Sequence, residues 1–200
     1  MYTNNTSIFR KGWIKLSLQD WYDKGISKEA YMAELDTLKD GFHTIYKGFS
    51  VPDADLKKLH ELKHLRVIVL AEVWCGHCML DVPILLRTVE AANIPVRFLP
   101  RDRHLSLMDQ YLTNDKRFIP IFIFIDENGK EVGKWGPMAP AVKAYVDELK
   151  QDVPAKDDPT YEEKFKEMIH QTGKRFTEDQ DLWKTVYEDI KTQLLTCKNK

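Results

Sequence analysis

Apolar residues in the N-terminal part of the chain recur at intervals of three and four. Between residues 18 and 46 this repeat is carried by large side chains: Met32, Leu35, Leu38, Phe42 and Ile45. The spacing is typical of one face of an α-helix. Ser27 is a suitable N-cap for a helix here, and Gly41 is expected to bend or break it. The pattern therefore predicts helical structure in this region.

The middle of the chain alternates between strand and helix patterns. Residues 67–71 are too few for a buried helix and are rich in β-branched side chains, which predicts a strand covered on both faces. Residues 96–99 and 121–125 are predicted to be the second and third strands. Helical patterns lie before and between these strands, at residues 53–64, from the cysteines to residue 92, and at 106–112. Strand, helix and strand in this spacing favour a parallel crossover.

A hairpin is predicted after the third strand. Residues 126–129, Asp-Glu-Asn-Gly, form a tight-turn sequence, and residues 131–135 supply the returning strand. Residues 139–149 then show a helical pattern. Because an antiparallel hairpin is added to a parallel crossover, the predicted sheet is mixed.

The last quarter of the chain is predicted to be a linker followed by two helices. Residues 151–158 contain Pro154 and paired aspartates, which is typical of a linker. Asp158-Pro159 is expected to start one helix, and Thr177 with Gln180 is expected to form a capping box for the next. The predicted organisation is a helical N-terminal extension (1–50), an α/β domain (51–152) and a helical C-terminal extension (153–200) that packs on the domain.

Composition narrows the classes of partner. The 200 residues include 30 Lys and Arg against 31 Asp and Glu, for a net charge of −1, so the basic excess of a nucleic-acid binder is missing. No segment approaches the roughly 18 apolar residues of a membrane span, and residues 1–6 lack the beginning of a secretion signal. We therefore expect a soluble, cytoplasmic protein that binds neither nucleic acid nor membranes.

Three cysteines are too few and too unevenly spaced for a secreted disulfide framework. In a reducing compartment the close pair Cys75 and Cys78 indicates redox chemistry or metal binding. Cys197 stands near the end of the chain, where ends are usually frayed, and is expected to be an incidental exposed thiol.

The close pair follows the first predicted strand and opens a helix. Unpaired N–H groups and the helix dipole at that point favour an anion, which should lower the pKa of the first thiol. Cys75 is therefore expected to be the attacking thiolate. Cys78, one turn further, is expected to be more buried and to resolve the mixed disulfide.

The segment Trp74-Cys75-Gly76-His77-Cys78 resembles the active site of the thioredoxin family. Pro83 stands where thioredoxins place the proline that kinks the active-site helix. Ile119-Pro120 resembles the family's cis-proline segment, and Gly136 resembles the glycine that lets a bound partner chain approach. The resemblance covers residues 51–150 and implies a thioredoxin-like α/β fold, with a central mixed sheet flanked by helices.

The resemblance also implies that Ile119, Pro120 and Gly136 form a substrate-binding edge. If Pro120 is cis, its turn lies against the disulfide and offers backbone groups to an extended substrate strand. The alternative is an ordinary proline at the start of a strand, which lacks only an unneeded donor.

His77 stands where thioredoxin has proline, and Cys-Gly-His-Cys is similar to protein disulfide isomerase domains. A neighbouring imidazole would stabilise the thiolate and make the disulfide easier to reduce. The expected potential is therefore more oxidising than the value of about −270 mV for thioredoxin, in the direction of about −180 mV for the isomerase. If the ring is exposed to solvent, its effect is small.

One position departs from the family pattern. Thioredoxins carry a buried aspartate six residues before the first cysteine, where it helps to move protons, and that position is Val69 here. Glu72 lies three residues before Cys75, on the other face of an ideal strand. It serves as the proton acceptor only if the strand bends, and otherwise it is an exposed residue at a strand end.

Two other interpretations remain open. Cys75 and Cys78 have the spacing of zinc ligands, and His60 and His64, one helical turn apart, could complete a set of four. A non-catalytic module is the second alternative, in which the fold holds partners and the dithiol is a redox sensor, with the terminal helices capping or gating the site.

The leading hypothesis is a thiol–disulfide oxidoreductase that uses Cys75 and Cys78 on protein substrates. A cytoplasmic setting favours the direction of a disulfide reductase. The partners would be protein disulfides and an electron donor such as a thioredoxin reductase or a small thiol. Neither a cofactor nor a metal is expected.

Overall fold

We describe the protein from a computed structural model. Its described residues are 16–198. The prediction about a secretion signal at residues 1–6 lies outside them.

Nine α-helices surround a four-stranded sheet in the described part of the chain. The helices are α1 (Leu18–Lys24), α2 (Lys28–Ala33), α3 (Lys39–Gly48), α4 (Asp53–His60), α5 (Gly76–Ala92), α6 (Leu105–Met108), α7 (Pro140–Lys150), α8 (Tyr161–Glu178) and α9 (Gln180–Thr196). The strands are β1 (Arg66–Ala71), β2 (Val96–Pro100), β3 (Ile121–Ile125) and β4 (Glu131–Trp135).

The sheet is mixed, as the sequence pattern predicts, with the strand order β2-β1-β3-β4. β1 runs parallel to β2 and antiparallel to β3, and β3 pairs with β4 in the antiparallel hairpin. Val69 lies at the centre, opposite Phe98 of β2 and Phe122 of β3, and it is fully buried. The apolar run of β1 is thus covered on both faces. Cys75 follows four residues after the C-terminal end of this strand.

The N-terminal helical region is three helices rather than one. Ser27 caps α2 as predicted, because its hydroxyl accepts the N–H of Ala30. The predicted break at Gly41 is wrong: Gly41 lies inside α3, and the chain leaves the helical conformation around residues 25–27 and 34–38. α1 and α2 pack against β2, and α3 packs against α5. Phe42 and Ile45 of the predicted apolar face are fully buried there.

Two helix starts in the C-terminal region differ from the sequence predictions. Asp158 accepts hydrogen bonds from the N–H and hydroxyl of Thr160, and α8 begins only after this turn. Thr177 lies within α8 and does not cap α9. The cap of α9 is Asp179, whose carboxylate accepts the N–H groups of Asp181 and Leu182. Both residue types cap helices well, so local pattern alone did not separate them.

Cys197 is buried, not exposed as its position in the sequence suggests. It follows α9, its Sγ lies 3.4 Å from the carbonyl oxygen of Gln193, and a Cβ on Gly133 of β4 would come within 2.6 Å of that sulfur. The helix α9 packs against β4, α5 and α7. The end of the chain is therefore part of the same core as the sheet.

None of the helices within residues 16–198 is both long enough and apolar enough to cross a bilayer.

Candidate active site

Cys75 is the N-cap of α5. Its backbone is extended, with φ −87° and ψ 121°, and its Sγ accepts the N–H of Cys78 at 3.4 Å. The helix begins at Gly76, so the sulfur lies where the first N–H groups of a helix have no intrahelical partner. The position of Cys75 at the start of the helix, predicted from the sequence, is thus present in the structure.

The surroundings of Cys75 favour its thiolate. The hydrogen bond from the Cys78 thiol lowers the pKa of Cys75, and burial acts in the opposite direction. Backbone N–H groups of Cys78 and His77 lower the pKa further. Cys75 is largely buried, with 9% of the residue exposed. A lowered pKa is what a nucleophilic cysteine requires.

Cys78 has the opposite character. It is 1% exposed, and burial raises its pKa well above the ordinary value. The hydrogen bond to Cys75 and the charge of Asp81 act in the same direction. The two thiols are therefore unequal in burial and in pKa.

The predicted substrate-binding edge comes together beside Cys75. The peptide bond between Ile119 and Pro120 is cis, and the carbonyl oxygen of Ile119 lies 3.7 Å from the Sγ of Cys75. Gly136 adopts a φ of +121°, and a Cβ there would lie 2.3 Å from the carbonyl oxygen of Pro120. A glycine is needed at this position because two backbone segments approach each other closely.

Trp74 and Gly76 form the exposed rim of the site. Trp74 is 55% exposed, and the guanidinium of Arg101 lies over its ring at 4.9 Å. Arg101 also donates to the carbonyl oxygen of Arg117, close in sequence to Ile119. A Cβ on Gly76 would meet nothing within 4 Å. Trp74 and Gly76 are thus the exposed residues on either side of the buried Cys75.

His77 differs from both sequence-based expectations. Its ring is mostly buried, packs 5.5 Å from the ring of Phe176 on α8, and has a buried Nδ1 without a hydrogen-bond partner among the described residues. Burial lowers the pKa of His77 to about 4, so the ring is neutral near pH 7. A neutral ring does not stabilise the thiolate by charge, and His77 contributes through its backbone N–H instead.

The burial of a neutral His77 predicts that stability depends on pH. The unfolded chain takes up a proton near pH 6.5 and the folded chain only near pH 4, so stability falls as pH falls through this window. A His77→Gln variant should lose less stability than the parent between pH 7 and pH 4, by on the order of 2–3 kcal/mol. Urea denaturation at both pH values measures this difference. His170→Gln, an exposed change on α8, is the control, and equal pH sensitivity of the parent and His77→Gln would contradict the prediction.

Glu72 is not the exposed strand-end residue that the sequence suggests. It is nearly buried, and its Oε1 accepts the N–H of Asp102 at 2.7 Å. Burial raises the pKa of Glu72. The backbone N–H of Glu72, rather than its carboxylate, acts on Cys78 and lowers the pKa of that thiol. The carboxylate is thus engaged in holding the loop after β2.

Asp81 is a site residue that the sequence analysis missed. It lies on α5 one turn after Cys78, is fully buried, and neither carboxylate oxygen has a hydrogen-bond partner within residues 16–198. A signal was available, because Asp81 interrupts the apolar segment 79–86 of a helix that is buried on nearly all sides. A charged residue in that setting requires an explanation.

An apolar cleft of about 320 Å³ opens beside the start of α5. Gly76 and His77 line one side, and α8 supplies the other with Ile169, Gly173 and Phe176. Ile169 is 54% exposed although it is apolar. The C-terminal helices thus shape the surface next to the two cysteines without covering Gly76 or Trp74.

The four residues of the alternative zinc site are not brought together. His60 ends α4 and His64 lies in the turn after it, both exposed. Among the described residues no three His, Cys, Asp or Glu side chains form a group that could hold a metal ion.

Comparison with known proteins assigns the family. The profile of the thioredoxin family matches residues 25–150, more than half of the chain. The chain therefore belongs to the thioredoxin family. The match begins before residue 51, so α2 and α3 lie within the family's own segment.

Two solved structures are similar in fold. A protein of unknown function from Pseudomonas aeruginosa is 17% identical with a TM-score of 0.62, and the alignment covers 89% of this chain and 99% of that one. An HIV epitope scaffold is 18% identical with a TM-score of 0.59, covering 88% and 99%. A search of curated proteins gives no significant match. Both alignments extend beyond the family segment into the terminal helices.

Proposed function

We propose that this protein is a thiol–disulfide oxidoreductase that reduces disulfides in other proteins. The observation that carries the proposal is the inequality of the two thiols at the start of α5. Cys75 is the more exposed of the two and has a lowered pKa, whereas Cys78 is almost completely buried and has a raised pKa. Such a pair can attack with one sulfur and resolve with the other, which is what dithiol–disulfide exchange requires.

The exchange proceeds in two steps. The thiolate of Cys75 attacks one sulfur of the substrate disulfide, and the other substrate sulfur leaves as a thiolate. Cys78 then loses its proton and attacks the Cys75 sulfur of the mixed disulfide, which releases the second substrate thiol and forms the Cys75–Cys78 disulfide. Two electrons pass from the protein to the substrate. An electron donor of the small-thiol or reductase class must then reduce the pair again.

The surface around Cys75 supports a polypeptide substrate. The carbonyl oxygen of Ile119 lies near the sulfur and can accept a hydrogen bond from an extended chain, and the exposed ring of Trp74 borders the same point. The apolar cleft between α5 and α8 offers a place for a side chain next to the reacting cysteine. Side chains beside a disulfide would thus contribute to its recognition.

The neutral state of His77 supports the reducing direction. Because His77 carries no positive charge, the Cys75 thiolate lacks the imidazolium stabilisation that makes an isomerase-type disulfide oxidising, and the charge of Arg101 is the smallest of the effects that lower the Cys75 pKa. The expected reduction potential is close to the value of about −270 mV for thioredoxin and well below the value of about −180 mV for the isomerase.

Redox titration against glutathione, combined with an insulin-reduction assay, tests the proposal. The expected result is an intramolecular Cys75–Cys78 disulfide with a thioredoxin-like potential and many turnovers of insulin in the presence of dithiothreitol. A redox sensor would form the same disulfide without turnover. A potential near the isomerase value would contradict the reducing direction, and failure to form the disulfide would contradict the oxidoreductase function itself.

A further inference from the structure

Asp81 takes no part in the exchange steps described above, and its environment is unusual for a carboxyl group. The side chain is 0% exposed, and neither oxygen has a hydrogen-bond partner in the described part of the chain. Buried polar groups nearly always have a partner, so an orphaned buried carboxyl group calls for a functional explanation. Its neighbour on the same face of α5, three residues earlier, is Cys78.

Two positions on and just after β1 offer no unpartnered carboxyl group to the cysteines. Val69 is at the centre of the sheet and is fully buried among apolar strands. Glu72 is committed to the N–H of Asp102 at 2.7 Å. Asp81 is thus the carboxyl group, among the described residues, that is both fully buried and within one helical turn of Cys78.

The groups facing Asp81 favour its protonated form in the resting protein. Burial raises its pKa well above the ordinary value, and the negative charges of Cys75 and of Asp189 on α9 raise it further. Asp189 is held by the indole N–H of Trp135 at 2.6 Å. When Asp81 is ionised, its charge in turn raises the pKa of Cys78. His77, on the same helix, is neutral.

We propose that Asp81 accepts the proton of Cys78 in the resolving step, and that Asp189, on the helix α9 that packs against α5, acts on Asp81 through its charge. This inference rests on the proposed function. It also assigns a role to a helix that lies outside the family segment of residues 25–150.

Each proton that moves during the two exchange steps has a donor and an acceptor. When Cys75 attacks the substrate disulfide, its negative charge passes to the leaving substrate thiolate. Asp81 then ionises more easily, and its proton neutralises that thiolate by way of solvent. The Asp81 carboxylate takes the proton from Cys78, and the resulting thiolate attacks the Cys75 sulfur. The second substrate sulfur leaves as a thiolate, and Asp81 is again protonated.

Asp81→Asn tests the first half of the proposal, because the amide has the same shape and cannot accept the proton. Turnover of insulin at pH 7 should fall on the order of 10²-fold, the lower end of the contribution of positioned acids and bases. The rate should also rise with pH more steeply than in the parent. Alkylation of Cys75 by iodoacetamide should change less than about threefold, since the attacking thiol is retained.

Asp189→Asn tests the second half. The amide oxygen can still accept the hydrogen bond from Trp135, but the charge is lost, so the acid limb of the turnover–pH profile should move to lower pH. Asp181→Asn is the matched control, because Asp181 lies on the same helix with its side chain 90% exposed. That variant should keep the profile of the parent. A shift of equal size in both variants would overturn the role of Asp189.

The failure of this inference can be told apart from the failure of the proposed function. Absence of turnover in the parent protein contradicts the function, whereas an Asp81→Asn variant with the parent's rate and pH profile overturns the inference alone. A readout independent of turnover is the carboxyl ¹³C resonance of Asp81. It should titrate at a higher pH in the reduced protein than in the disulfide form, and the same midpoint in both forms would also overturn the inference.

Discussion

A Cys78→Ser variant is expected to stop after the first attack and to remain bound to its substrate by a disulfide, whereas Cys75→Ser is expected to lose turnover by at least about 10³-fold. The difference follows from the structure. Cys75 is the more exposed of the two cysteines and has the lowered pKa, so only its removal prevents the attack. Cys78 is buried, so its removal prevents only the release of the substrate.

Non-reducing electrophoresis and mass spectrometry after mixing with oxidised insulin measure both outcomes. The covalent adduct should appear with Cys78→Ser, disappear on addition of dithiothreitol, and be missing with Cys75→Ser. Cys197→Ala is the control, because that residue lies against Gly133 in the core and takes no part in the proposed exchange. An adduct formed by Cys75→Ser through Cys78 would reverse the assignment of the two thiols.

The elements around the candidate site could be predicted because their signals are local. The β-branched run of β1 specifies a buried strand, and Cys75 followed by an apolar helix specifies a thiol at a helix start. The turn at residues 126–129 specifies the hairpin that makes the sheet mixed. In each case the pattern within about ten residues agrees with the tertiary structure, which is the condition under which sequence reasoning succeeds.

The sequence predictions that are wrong concern side chains that distant segments of the chain bury. Cys197 was expected to be exposed because it is near the chain end, yet it continues the spacing of Ile190 and Leu194, both fully buried on α9. His77 was expected to act through its imidazole, but Phe176 of α8 lies against the ring, and no local pattern shows that contact. Side-chain protonation depends on burial by distant segments, so these states could be read only from the fold.

A Gly136→Ala variant should be destabilised by about 3 kcal/mol or more and should lose activity in the fraction that folds. The φ of +121° is unfavourable for any residue with a Cβ, which costs roughly 1–3 kcal/mol. The added methyl group would also lie 2.3 Å from the carbonyl oxygen of Pro120, a backbone atom that can move only with its segment. That segment includes Ile119, so the displacement should reach the Sγ of Cys75.

Gly173→Ala provides a control of the opposite sign. Gly173 lies in the interior of α8, and a Cβ there would meet nothing within 4 Å. Alanine in a helix interior is more favourable than glycine by roughly 0.5–1 kcal/mol, so this variant should be stabilised. Urea denaturation of both variants and the parent gives the two free energies. If Gly136→Ala were as stable as the parent, the close approach of Gly136 to the Pro120 segment could not be a requirement of the fold, and the edge it forms beside Cys75 would tolerate side chains.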